Sequence, residues 1–321
     1  MKQPLIILAG PTAVGKTGLS IALAKALDGE IISADSMQVY RGMDIGTAKI
    51  RPEEMQGIPH HLIDILEPQE EFNVVSFAKR GKKAISEIAA RGKLPIVVGG
   101  TGFYIQALLY EIDFTDTDED KSYRRTLERL ADTEGAAALH RLLQKVDPKA
   151  AAEIHPNNRK RVIRALEFYE KSGKRISEHN EEQRQKSSPY QACFFVLTDD
   201  RKRLYERIDQ RVERMLAEGL IEEVAGLMQE GCTRSMVSMQ GLGYQEIAAY
   251  LDGEIPLEDA IYLIKRDTRH FAKRQLTWFK REPEVVWVDR QTFHDSDQEI
   301  LSFLLETIKE RQSKEAGEEI R

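Results

Sequence analysis

Residues Leu5–Thr17 read LIILAGPTAVGKT, an apolar run that enters a glycine-framed turn and leaves it through Lys16 and Thr17. The segment GPTAVGKT fits G-x-x-x-x-G-K-[ST], with Gly10, Gly15, Lys16 and Thr17 in register. Its flanks are right for that motif: a predicted strand over Leu5–Ala9 and a predicted helix over Gly18–Leu27. In such a turn, backbone amides and the helix N-terminus converge on anionic oxygens. Lys16 adds a fixed cation, and the Thr17 hydroxyl can ligate magnesium. Pro11, Thr12, Ala13 and Val14 complete the cradle. The loop therefore states phosphate binding. It leaves open whether a phosphoryl group is transferred or a phosphate-bearing substrate is held for other chemistry.

The surrounding chain continues the pattern. Glu30–Ala34 and Leu94–Val98 read as further apolar strands, and Val74–Arg91 reads as a helix with Ala78, Ile85, Ile88 and Ala89 on one face. Continuous apolar strands alternating with helices predict an α/β fold, a parallel sheet flanked by helices. From Asp116 to Pro189 the pattern becomes helical and highly charged, which predicts an all-helical insertion at 116–189. A strand returns at Gln191–Asp199, followed by helices at Arg201–Glu218, Leu220–Gln229, Tyr244–Leu251 and Pro256–Lys280, and a last strand at Glu284–Asp289. The expected organisation is a discontinuous core, 1–115 plus 190–300, with a C-terminal helix or frayed tail at 301–321, polar from Lys309 onward.

Composition narrows the class. The 321 residues are 41% hydrophobic and 31% charged, with a net charge of −6. No uninterrupted apolar run is long enough to span a membrane. The N-terminus, Met1–Pro4, enters a strand with no signal-peptide pattern. Cys193 and Cys232 are too few for a disulfide framework or a four-cysteine zinc site, so a reducing cytoplasm is expected. The acidic sum argues against a nucleic-acid partner, but charge is unevenly placed. Asn157–Arg175 is basic, and Ile264–Arg281 carries Arg269, Lys273 and Arg274 among His270, Phe271 and Trp278. Such a helix can track a phosphate backbone with one face and pack with the other. The acidic compensation lies in Asp113–Asp120 and in the C-terminal tail.

Ligands on open parallel sheets bind beyond the carboxyl ends of the strands. Besides the phosphate loop, two strand ends stand out. Asp35 follows the second strand, next to Ser36, Met37 and Gln38. Its carboxylate has three readings: magnesium ligand, general base, or cap of the following turn. Side chains such as Gln38 can read a base edge. The other end is VVGGTGFY, where paired glycines let backbone approach a ligand and Thr101 offers a hydroxyl. That strand does not end in an aspartate, which weakens a phosphohydrolase reading. Arg207, Arg211 and Arg214 recur at helical spacing, either as an ordinary solvated helix face or, since the helix begins at a strand end, as planar guanidinium groups aimed at a phosphate cluster. MQGLGYQE, Met239–Glu246, is a glycine-hinged loop before a helix. The adjacent His60 and His61 point in different directions on regular structure and are read as structural. Basic surfaces beside a phosphate-binding core favour a large polyanionic substrate.

In chain order, GPTAVGKT, SADSMQVYRGMDIGTAK, GGTGFYIQALL, IHPNNRKRVIRALE, GLGYQE and RQLTWFKR resemble the bacterial tRNA dimethylallyltransferases, also called isopentenyltransferases. The resemblance runs from about Leu5 to Asp289. It implies a P-loop, nucleotide-kinase-like core with a helical insertion, acting as a monomer. It implies transfer of a dimethylallyl group from its diphosphate to the exocyclic amine of the adenosine just 3′ of the anticodon, position 37 in the tRNA, in tRNAs that read codons beginning with U. The partners are then the anticodon stem-loop of tRNA and dimethylallyl diphosphate, with Mg2+ as cofactor. By the same resemblance Asp35 is the general base, Thr101 and Arg211 support the acceptor and the diphosphate, and Thr17 is the magnesium-linked hydroxyl. Residues Thr12–Thr17 double as donor-diphosphate and nominal ATP positions. Contacts to tRNA are implied for Asp35–Gln38, Thr101 and Arg124, for Asn158, Arg159, Lys160, Arg161 and Val162, and for Gln240, Gly241, Leu242, Gly243, Tyr244 and Gln245. Val14 and Phe103 depart from the residues common in the family, away from the chemistry. Three rival readings share parts of this pattern: a small-molecule kinase, a nucleotide-switched RNA chaperone, and an enzyme that prenylates free adenine nucleotides.

Overall fold

The protein was analysed as a computed structural model, which describes residues 2–112 and 122–318. The acidic Asp113–Asp120 stretch lies outside the described residues. The chain forms two compact units, Met1–Leu109 with Pro189–Arg321, and Tyr110–Ser188.

The first unit is built on one parallel sheet. Its strands are β1 (Gln3–Ala9), β2 (Gly29–Ala34), β3 (His60–His61), β4 (Leu94–Gly99), β5 (Tyr190–Thr198) and β6 (Val286–Asp289), in the spatial order β3-β2-β4-β1-β5-β6. The central pairings set the register: Ala9 opposite Gly99 between β1 and β4, and Ala34 opposite Gly99 between β2 and β4. The loops that follow these three strands are therefore brought side by side at one edge. Leu5, Ile6, Ile7 and Leu8 are all buried, as are all six residues of β2. Burial on both faces is why these strands read as unbroken apolar runs.

The helices of this unit are α1 (Lys16–Ala26), α2 (Val74–Ala90), α3 (Gly102–Leu109), α9 (Arg201–Ala217), α10 (Leu220–Gln229), α11 (Tyr244–Leu251), α12 (Leu257–Phe279) and α13 (Asp297–Glu318). Of the two alternatives for 301–321, a helix or a frayed tail, the described residues form the helix, with α13 running past Lys309 to Glu318. Ile300, Leu304 and Ile308 recur every four residues on that helix and are buried in the same core cluster as Leu19 and Leu23 of α1. The small strand β3 is also absent from the sequence reading. Two residues carry no periodicity, and β3 exists because His60 and His61 pair with Ile31 and Ile32 of β2.

The second unit is all-helical: α4 (Ser122–Thr133), α5 (Ala136–Val146), α6 (Pro148–Glu153), α7 (Arg159–Ser172) and α8 (Ile176–Arg184). It has its own apolar cluster, centred on Leu127, Leu139, Leu143, Val162 and Leu166. Asp147 ties three of its elements together: its carboxylate accepts from Ala150 N at 3.0 Å, from Ser177 N at 2.9 Å and from Ser177 Oγ at 2.7 Å. These bonds outweigh burial and hold the Asp147 carboxyl below its ordinary range.

Candidate active site

Within the first unit, the ends of β1, β2 and β4 open into a cavity of about 660 Å³. The phosphate loop forms one wall. Ala13 and Gly15 hold it in the left-handed region, with φ of 63° and 95°. Gly10, also at positive φ, has no room for a side chain: a Cβ there would lie 2.7 Å from the Leu197 carbonyl oxygen. Lys16 Nζ donates to the carbonyl oxygens of Gly10 at 3.0 Å and Pro11 at 2.8 Å. Burial, reinforced by the charge of Arg211, pushes the Lys16 ammonium down to about 7, against an opposing pull from Asp35. Thr17 is exposed at the start of α1. Val14 turns away and is fully buried in the core.

Asp35 stands at the carboxyl end of β2. Its Oδ1 accepts from Met37 N at 2.8 Å and Gln38 N at 3.3 Å, so the carboxylate does cap the following turn. Among the described residues no hydrogen bond engages Oδ2, and Asp35 lines the cavity. Capping and proton transfer are compatible here, because the turn uses one oxygen and orients the other. Gln38 also lines the cavity. Its Oε1 accepts from Ser33 Oγ at 3.2 Å, and its Nε2 donates to Thr47 O at 3.3 Å.

Thr101 begins the turn into α3, with its N–H donating to Ala34 O at 3.3 Å, so the third strand end is bonded directly beside Asp35. Arg207, Arg211 and Arg214 of α9 all reach the cavity, as does Arg274 of α12. With Lys16 they make five cations around a wall whose one acid is Asp35. Burial lowers the Arg211 pKa, with Asp35 partly restoring it, yet a guanidinium stays charged at physiological pH. The Arg211 Nη2 donates to Thr47 O at 3.4 Å. Ile208, Val212 and Met215, interleaved with these arginines, supply apolar lining beside the charge.

Two side chains for which the resemblance implied tRNA contacts are buried. Tyr244 is fully buried, and its hydroxyl donates to Glu223 Oε1 at 2.5 Å. Val162 is fully buried in the core of the second unit. Tyr244 nevertheless lines the cavity, whereas Val162 packs among the apolar side chains of its own unit. Gln240, Gly241 and Leu242 line the cavity, whereas Gln245 is exposed and Gly243 is buried. On α12, Arg274 reaches the cavity, Lys273 is exposed, and Arg269 is paired with Asp209 at 2.9 Å. In the second unit, Arg124 forms a two-pronged pair with Glu167 at 2.9 and 2.6 Å. Asn158 caps α7 by accepting from Arg161 N at 3.3 Å, and Arg159 pairs with Asp132 at 2.9 Å. Lys160 and Arg161 project from that first turn into solvent. His61 bonds Glu30 at 2.7 Å and His60 bonds the Ile58 carbonyl at 2.8 Å, both in structural roles.

The comparisons with known proteins agree with this geometry. The sequence profile of the IPP transferases matches residues 38–282, and that of the isopentenyl transferases matches residues 3–68. This chain belongs to the IPP transferase family. It is 61% identical over 310 residues to a tRNA dimethylallyltransferase of Lachnoclostridium phytofermentans, covering 97% of this chain and 99% of that one. It is 54% identical over 289 residues to the tRNA dimethylallyltransferase of Carboxydothermus hydrogenoformans, covering 90% and 93%. Its fold is similar to the crystal structure of the full-length tRNA isopentenylpyrophosphate transferase from Bacillus halodurans, at 47% identity and a TM-score of 0.73, covering 98% of this chain and 100% of that one. It is also similar to a eukaryotic dimethylallyltransferase crystallised acting on tRNA, at 34% identity and a TM-score of 0.77, covering 89% of this chain and 74% of that one. The nucleotide-kinase-like α/β fold and the enzymatic character read from the sequence both hold. Among the described residues no helix is long and apolar enough to cross a membrane.

Two site residues have no counterpart in the sequence reading. Gln275 accepts a bond from the phosphate loop and donates one to the loop after β4. Arg290 packs under Gly15, its Nη1 lying 3.1 Å from where a Cβ would fall, and its Nη2 donates to Asp297 at 2.8 Å. Its Nε and Nη1 are buried without a hydrogen-bond partner among the described residues. Gln275 lies within the RQLTWFKR motif, where no role was read for it, and Arg290 lies in none of the quoted motifs. The paired glycines of GGTG were the available signal for Gln275, since close packing on a glycine implies a partner.

Proposed function

We propose that this enzyme transfers a dimethylallyl group from dimethylallyl diphosphate to N6 of the adenosine at position 37 of tRNA, releasing diphosphate. The observation that carries the reading is the single cavity in which one carboxylate, Asp35, faces five cations and an apolar strip on α9. A phosphotransferase would use the cations and an acid as well; the apolar strip beside them is what suits an allylic chain.

In the proposed reaction, the adenine nitrogen attacks C1 of the allylic donor as the C1–O bond breaks. The bonding electrons leave with the diphosphate, and the nitrogen's proton passes to Asp35. Lys16, Arg211 and the loop amides stabilise the negative charge that grows on the departing oxygens. Thr101, bonded beside Asp35, supports the acceptor. The target base must leave its stack to enter a cavity of this depth.

Magnesium fits the residues present. Among the described residues there is no cluster of three His, Cys, Asp or Glu groups, while the Thr17 hydroxyl is exposed beside the phosphate loop. Thr17, at the start of α1 beside the phosphate loop, is the residue that would hold the ion. When bound, the ion supplies further charge neutralisation on the diphosphate. The exposed Lys160 and Arg161 and the basic residues of α12 provide phosphate-backbone contacts of the kind a tRNA requires.

The test is direct. Unmodified tRNA is incubated with dimethylallyl diphosphate and magnesium, digested, and its nucleosides are analysed by mass spectrometry. A prenylated adenosine localised next to the anticodon is the expected product. Phosphoryl transfer from ATP to a small acceptor, without prenylated tRNA, would replace this reading with the kinase one.

A further inference from the structure

We propose that Gln275 is a positioning residue that sets the register between the phosphate loop and the acceptor-side loop, and thereby the approach of nucleophile to donor. The inference rests on the reaction proposed above.

Gln275 sits on α12, far in sequence from both loops, and is buried. Its Oε1 accepts from Thr12 N at 3.0 Å, and its Nε2 donates to Gly100 O at 3.0 Å. One planar amide thus spans the loops that follow two neighbouring strands, β1 and β4. The fit is tight. A Cβ on Gly100 would fall 2.1 Å from Nε2, so that glycine exists to admit this side chain. One turn along α12, Trp278 fills the space that a Cβ on Gly102 would need, at 2.2 Å. Gly100 and Gly102 flank Thr101, so both sides of that residue are docked on α12.

The bond to Gly100 extends further. Thr101 N donates to Ala34 O, the residue before Asp35. A continuous path of hydrogen bonds therefore runs from the donor loop through Gln275 and the Gly100–Thr101 turn to the strand end that carries the general base. Displacing the reacting groups by about 1 Å costs on the order of 100-fold in rate, and Gln275 is the one side chain in this path that ties the donor side to the acceptor side.

The role requires an amide that accepts one bond and donates one. A carboxylic acid can do the same while protonated, but a carboxylate cannot donate to the Gly100 carbonyl. Gln275→Met removes both bonds at similar volume, and Gln275→Glu, ionised at neutral pH, keeps the acceptor and loses the donor. Steady-state prenylation of tRNA is measured from pH 6 to 8 for the wild type and both variants, with tRNA affinity and melting temperature as controls. The expected result is a drop in kcat of about tenfold or more for Gln275→Met, with tRNA affinity within about twofold. For Gln275→Glu, whose carboxylate cannot donate to the Gly100 carbonyl, kcat falls by about tenfold or more as well. Wild-type kcat in either variant overturns the inference. If Gln275→Met does not fold, Gln275→Glu decides alone: a fall of about tenfold or more with unchanged tRNA affinity and melting temperature supports the role, and wild-type kcat overturns it. A wild-type enzyme that makes no prenylated tRNA would instead defeat the underlying functional reading.

Discussion

Lys16 and Asp35 carry the chemistry that can be tested most sharply. Lys16 has a pKa lowered to about 7, chiefly by burial, so near neutrality it is only partly charged before a donor arrives. An entering diphosphate favours the charged form and must draw in a proton above that pH. The sign follows: donor binding is strongest below pH 7 and weakens as pH rises, by at most about tenfold per unit. Measured donor KM should rise above pH 7 in the wild type, and this component should vanish in Lys16→Ala. Asp35→Ala should lower kcat by about 100-fold or more while leaving tRNA affinity within a few-fold, as measured by steady-state kinetics and filter binding. A wild-type rate in that variant removes the general-base assignment.

Among the elements, Glu223 on α10 has the heaviest structural duty. Its Oε2 accepts from Asp44 N at 2.8 Å and Ile45 N at 2.7 Å, and its Oε1 accepts from Gly46 N at 3.1 Å and from the Tyr244 hydroxyl. It joins the loop after β2 to α11, and the Tyr244 ring leaves no room for a Cβ on Gly46, at 2.5 Å. The acid beside it and its burial both push the Tyr244 hydroxyl pKa up, so that hydroxyl stays a donor. Glu223→Ala should therefore cost about 2–4 kcal/mol of stability by denaturant titration, since three backbone donors lose a charged acceptor together. Likewise Gly100→Ala should lower kcat by at least about tenfold, because its Cβ displaces the Gln275 amide. Kinetics on the purified variant decide it.

For the molecule as a whole, the acidic net charge of −6 coexists with localised basic surfaces, and binding of a polyanion depends on the latter. Association with tRNA should weaken steeply with salt, and Lys160→Ala or Arg161→Ala should each reduce the slope of log affinity against log salt by about 0.7–0.9. An unchanged slope would remove that turn of α7 from the interface.

Much of this architecture was legible from residue order. Burial on both faces writes itself into a strand as an unbroken apolar run, so β1, β2, β4 and β5 were found to within a residue or two. The phosphate loop was legible because backbone geometry dictates its glycines, and Asp35 because strand ends of parallel sheets are where ligands bind. Short β3 and the length of α13 were not, since neither is specified by local periodicity alone. The sequence alone determined the strand-helix alternation, the phosphate loop and the family. Only the tertiary structure decided that Tyr244 and Val162 are buried, that Arg290 lies beneath Gly15, and that Gln275 bridges two loops. Each of those depends on which distant side chain fills a given space, and no spacing along the chain encodes that.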